Sequence, residues 1–148
     1  SGAGDSSNCT VTGSASTIQL NFITGFNSSS FLAPSGGNNG TTVGAQRKLS
    51  FIQAAEILAD SVSSSQVIIM DATFTGLACS AGSATLGSAG ATVSLHNPSA
   101  PAGLINNTWY PVGLYNDISN SDQLSAADDI SGGYSGNGTG SDINSRFK

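Results

Sequence analysis

The chain has 148 residues, enough for one domain with a hydrophobic core, and carries a net charge of −5 with only 9% of its residues charged. Four basic residues cannot neutralise a phosphate backbone, so the composition argues against nucleic acid, and the acidic balance argues against anionic membrane surfaces. No apolar run approaches the roughly 18 residues of a membrane-spanning helix, and a surface built largely from Ser, Thr, Asn, Gln and Gly suits a secreted or extracellular protein.

The first four residues, SGAG, lack a signal-peptide core, so a processed or trimmed start is expected. Residues 1–14 are small and polar and read as a flexible arm, with residues 15–148 as a single unit behind it. Cys9 and Cys79 are the only cysteines. An even pair in such a composition suggests a Cys9–Cys79 disulfide, the alternative being two buried thiols. Closing so long a loop would contribute about 4 kcal/mol in the chain-entropy model.

Residues 16–23, STIQLNFI, alternate with Ile18, Leu20 and Phe22 on one side and Thr17, Gln19 and Asn21 on the other, the pattern of a strand with one wet face. Residues 25–40 are a turn-rich excursion carrying Pro34, Gly36 and Gly37. The only long helical pattern follows. Phe51, Ala55, Leu58 and Val62 recur on one stripe, widened by Ala54 and Ile57. Thr41 and Thr42 suit the N-cap, and the serines at 63–65 suit the stop.

Val67, Ile68, Ile69 and Met70 form a continuous apolar run, which predicts a central strand covered on both faces. A right-handed crossover would make it parallel to the first strand. Beyond residue 75 the chain turns glycine-rich, with short strands expected at 83–86 and 92–96 and a loop at Pro98 and Pro101. Trp109, Tyr110, Val112, Leu114 and Tyr115 are the densest aromatic cluster and are expected to cap the core. A helical turn is expected at 125–130, and strand-like alternation returns at Ile143 and Phe147. The fold class is therefore α+β: one main helix packed on a mixed, mostly β sheet, with long Gly/Ser/Asn-rich loops.

Chemistry-bearing residues are sparse. His96 is the only histidine and Glu56 the only glutamate, so no HExxH helix, with its two imidazoles one turn apart, is available for zinc. His96 reads as a surface or satisfied polar residue, and Glu56 as a solvated helix flank. Asp117, Asp122, Asp128 and Asp129 invite a calcium site, but their spacing fits no EF-hand loop and a solvated acidic loop is the stronger reading. No Gly-x-Ser-x-Gly elbow and no phosphate-cradling Lys-Ser/Thr loop occurs. Sequons begin at Asn8, Asn27, Asn39, Asn106 and Asn137, a number that arises easily by chance in an Asn/Ser/Thr-rich chain. Trp109, Tyr110 and Tyr115 are candidates for stacking on a glycan or cell surface, against the commoner core role.

Four segments in order, GGNNGTTVGAQR at 36–47, ACS through LGSAG at 78–90, NTWYPV at 107–112 and SDINSRF at 141–147, resemble the first part of a family of secreted bacterial zinc metallopeptidase-like proteins of metzincin type. The resemblance implies a strand, helix and mixed-sheet subdomain that forms the upper wall of a protease cleft. It also implies that the strand at 143–147 lies immediately ahead of a helix bearing HExxH. No residue here matches a zinc ligand or the catalytic glutamate, so this chain is expected to be catalytically inert and to hold no cofactor. Zinc would enter only with a C-terminal continuation. Two rival expectations are a self-assembling structural subunit of a filament or surface layer, joined to other copies through an open sheet edge or the N-terminal arm, and a glycan-binding module.

Overall fold

The computed structural model describes residues 7–96, 101–123 and 141–147, together with the backbone of 133–136. The fold is α+β. A five-stranded sheet is built from β1 (Ser7–Thr12), β2 (Thr17–Thr24), β3 (Ile68–Phe74), β6 (Gly87–Ala91) and β10 (Ile143–Phe147), in the spatial order β1-β2-β3-β10-β6. β2, β3 and β10 are parallel, and the two edge strands, β1 and β6, run antiparallel to their neighbours.

The main helix, α1 (Val43–Ser61), starts where the sequence places it, with Thr42 Oγ1 accepting from the Ala45 N–H at 3.2 Å. It packs mainly over β1 and β2. Its buried stripe is Phe51, Ile52, Ala55, Leu58 and Ala59, which meets Ile18, Leu20 and Phe22 of β2 and Ala72 of β3. Ile57 and Val62, expected on that stripe, are 62% and 40% exposed. At 100° per residue Ile57 lies on the far side of the helix from Ala55, and Val62 falls outside the helix as its C-cap. Alanines at 55 and 59 let the helix come close to the sheet: the Ala15 and Ser16 N–H groups of the β1–β2 turn both donate to the Ala59 carbonyl.

β3 is central and parallel to β2, as the sequence suggests. It is not covered on both faces, however. Ile68, Met70, Ala72 and Phe74 face the helix side, while Asp71 and Thr73 floor an open polar hollow on the other. Residues 7–12, read from sequence as part of the arm, form the edge strand β1.

The remaining elements make a smaller unit. β4 (Cys79–Ser80) and β5 (Ser83–Ala84) form a short hairpin. β7 (Val93–His96) pairs with β8 (Trp109–Pro111) and β9 (Gly133–Gly136), and α2 (Val112–Ser119) closes over β7. Val93, Leu95, Val112 and Tyr115 are the core of this unit. The helical turn expected at 125–130 lies outside the described residues.

Candidate functional site

His96 and Trp109 are directly opposite in the β7–β8 register, and their rings lie 5.0 Å apart at 35°. Trp109 is half exposed. Tyr110 uses its hydroxyl to accept the Ile105 N–H at 3.0 Å. Tyr115 has only 4% of its surface exposed because it is a core residue of the smaller unit, so it offers no face to a ligand. The surface expected from three aromatics therefore reduces to Trp109 against His96, since Tyr110, opposite Leu95 on the other face of β8, packs against the core of the smaller unit.

The expected Cys9–Cys79 bridge is not formed; both cysteines are free. Cys9 sits half-buried on β1 against the main core, whereas Cys79 is exposed on the β4–β5 hairpin, outside the five-stranded sheet. Glu56 accepts from Gln53 Nε2 on the solvent side of α1. Asp117 Oδ1 accepts from both the N–H and the hydroxyl of Ser65, which ties α2 to the segment between α1 and β3. Asp122 Oδ1 accepts from Asn116 Nδ2 at 3.3 Å. Asp128 and Asp129 lie outside the described residues. Among the described residues no three of His, Cys, Asp and Glu come together as a metal-holding group. His96 and Glu56 stand on different elements, β7 and α1.

The feature that sequence alone did not locate is a partly covered strip of apolar sheet that opens towards β6. In the parallel β3–β10 register Met70, Ala72 and Phe74 stand beside Ile143, Ser145 and Phe147, and these in turn stand beside Ala91, Ala89 and Gly87 of β6. Side chains paired in register share a face. Three rungs of mostly apolar or small residues thus continue the face that α1 covers on β1 and β2. Phe51 reaches over from α1 and meets Phe147 edge-on at 5.1 Å and Phe74 at 6.0 Å. Beyond it the cover thins: Ala72 and Ser145 stay buried, Ile143 and Phe147 are half-buried, and Gly87, Ala89 and Ala91 of β6 are exposed. One hollow of about 460 Å³ opens beside Phe51, Phe74 and Phe147, and another of about 490 Å³ opens beside Ile68, Ile143 and Leu114.

Two local devices hold the first hollow in shape. Gly25, at φ +86°, brings its backbone so close to Phe74 that an added Cβ would lie 2.6 Å from the Phe74 Cβ. Arg47 then donates from Nη1 to the Gly25 carbonyl at 2.6 Å and lays its guanidinium 4.3 Å from the centroid of the Phe74 ring.

Among the described residues no helix is long and apolar enough to cross a membrane. Comparison with protein-family models, with curated proteins and with solved structures found no match.

Proposed function

We propose that this chain is an extracellular metallopeptidase-like subdomain that walls a cleft and carries no catalytic residue of its own. The observation that carries the reading is the partly covered apolar face. β10 lies two strand spacings from β2, about 10 Å, which is the distance at which one helix packs beside another. A second helix beside α1 would thus lie along β10, the strand that the resemblance sets immediately ahead of a zinc-bearing helix. Small residues at Gly87, Ala89 and Ala91 would let such a helix approach the β6 side closely. The test is zinc content and chelator-sensitive peptide cleavage of the native gene product. Stoichiometric zinc with cleavage abolished by a chelator is expected; a native product free of zinc and inactive on unstructured peptides would overturn the reading.

A second reading, a self-assembling extracellular subunit, is favoured by the sheet edges. β1 (SNCTVT) and β6 (GSAGA) carry neither a charge nor a proline, the usual devices that stop edge strands from pairing with a neighbour. Sedimentation of the purified chain separates the two readings. Large assemblies that persist on dilution support the subunit, and a monomer at high concentration removes it.

A further inference from the structure

We propose that the open polar face of the five-stranded sheet, opposite α1, binds a neutral saccharide through Asp71 and Arg146. The site lies on the other side of the sheet from the apolar strip and does not depend on the metallopeptidase-like reading. Its floor is one rung of side chains in register across four strands: Asn8 of β1, Asn21 of β2, Asp71 of β3 and Asn144 of β10. Adjacent strands are about 4.8 Å apart, so these groups repeat at a spacing on the order of one sugar ring. One rung further along, Thr73 stands beside Arg146. Together they line a hollow of about 710 Å³ that opens to solvent.

The groups are pre-oriented. Gln19 Nε2 donates to Asn21 Oδ1 at 3.0 Å, and Asn21 Nδ2 donates to Asp71 Oδ1 at 2.9 Å, so a relay of side-chain hydrogen bonds sets the direction of both the amide and the carboxylate. Asp71 is only 8% exposed, although it belongs to the wet face of the sheet. Among the described residues its Oδ2 has no hydrogen-bond partner, and a desolvated carboxylate gains from a second donor. Arg146 is exposed and has no ion pair among the described residues, leaving its guanidinium donors available.

The charges decide the ligand class. One carboxylate and one guanidinium line the hollow, so it carries no net charge and favours neither an anion nor a cation. A hydroxyl donates one hydrogen bond and accepts others. Neighbouring hydroxyls of a sugar can therefore donate to Asp71 Oδ2 while accepting from Arg146 and the amide of Asn144. The sheet face lacks an aromatic ring at this rung, so hydrogen bonding rather than stacking supplies the selectivity.

The experiment is an amide-resolved NMR titration of the purified chain with neutral cello-, xylo-, manno- and chito-oligosaccharides, repeated on Asp71→Asn and Arg146→Gln. Expected are saturable shifts at residues 21, 71, 144 and 146 with at least one sugar, and an affinity loss of about tenfold or more in each variant. The exposed Arg146→Gln keeps the test valid should Asp71→Asn fold poorly. No saturable shift with any sugar, shifts confined to Trp109 and His96, or unchanged affinity in Arg146→Gln would each overturn the proposal.

Discussion

Asp142 is the residue on which the two parts of the molecule are pinned together. It is 5% exposed. Its Oδ2 accepts the Ile69 N–H of β3 at 2.8 Å, its Oδ1 accepts from Asn116 Nδ2 of α2 at 3.2 Å, and its carbonyl accepts the Thr92 N–H just ahead of β7 at 3.0 Å. Burial pushes its carboxyl above the ordinary value of 3.8, and the nearby Asp122 charge adds to the rise, while the hydrogen bonds from Ile69 and Asn116 oppose it. A raised folded-state pKa means that the folded chain holds the proton longer than the unfolded one. The stability contributed is then fully present below pH 3.8 and is lost as pH rises through the folded pKa. The difference between wild type and Asp142→Asn in urea midpoint should therefore move against the wild type as pH rises from 3.8 towards neutrality. Parallel curves would refute this assignment.

Among the elements, α1 shows how packing overrides propensity. Alanine is favoured over glycine in a helix by about 1 kcal/mol, so Gly44→Ala near the helix start would ordinarily stabilise. Here an added Cβ would sit 2.3 Å from the Phe26 carbonyl oxygen, and the Gly44 N–H donates to Ser28 at 3.0 Å, so neither backbone has room to retreat. The expected outcome is a net loss of about 1–3 kcal/mol by chemical denaturation. A stabilised variant would mean that the loop at 26–28 yields. The same contrast explains what was legible in the sequence. β2, α1 and β10 carry periodic apolar residues and β3 a continuous apolar run, and these patterns suffice to place them. β6 reads GSAGA, with no strand-forming side chain; it is a strand only because β10 presents it a ladder of backbone partners. β1 is polar for the same reason, an edge strand specified by its neighbour. α2 was hidden behind Trp109, Tyr110 and Pro111, which read as one aromatic cluster although the helix begins at Val112. The candidate sites were less legible still. Alternation marks Ile143 and Phe147, but only the register sets Phe147 beside Phe74. Asn8, Asn21, Asp71 and Asn144 lie far apart along the chain and meet in one rung through four strands that no local signal aligns.

At the scale of the whole molecule, the sheet has a mostly apolar side and a mostly polar side, and α1 packs mainly over the β1 and β2 part of the apolar one. Leu114 and Val62 remain 47% and 40% exposed at the rim of the rest. Patches of this kind on a single chain mark surfaces that another element occupies. The purified chain should accordingly bind an apolar fluorescent dye, and Leu114→Asn, which changes an exposed position in the smaller unit, should weaken that binding without lowering the thermal midpoint by more than a surface substitution does. Equal dye binding in the variant would place the apolar surface elsewhere.

The most direct check on the account is the intact mass of the native gene product, denatured but not reduced. A mass well above 14.7 kDa, with peptides reading continuously past β10 into a helical segment, is the result expected if the strip along β10 seats a further helix of a metallopeptidase-like domain. A native mass of 14.7 kDa would contradict that and leave the strip and the sheet edges to be satisfied by other copies of the chain.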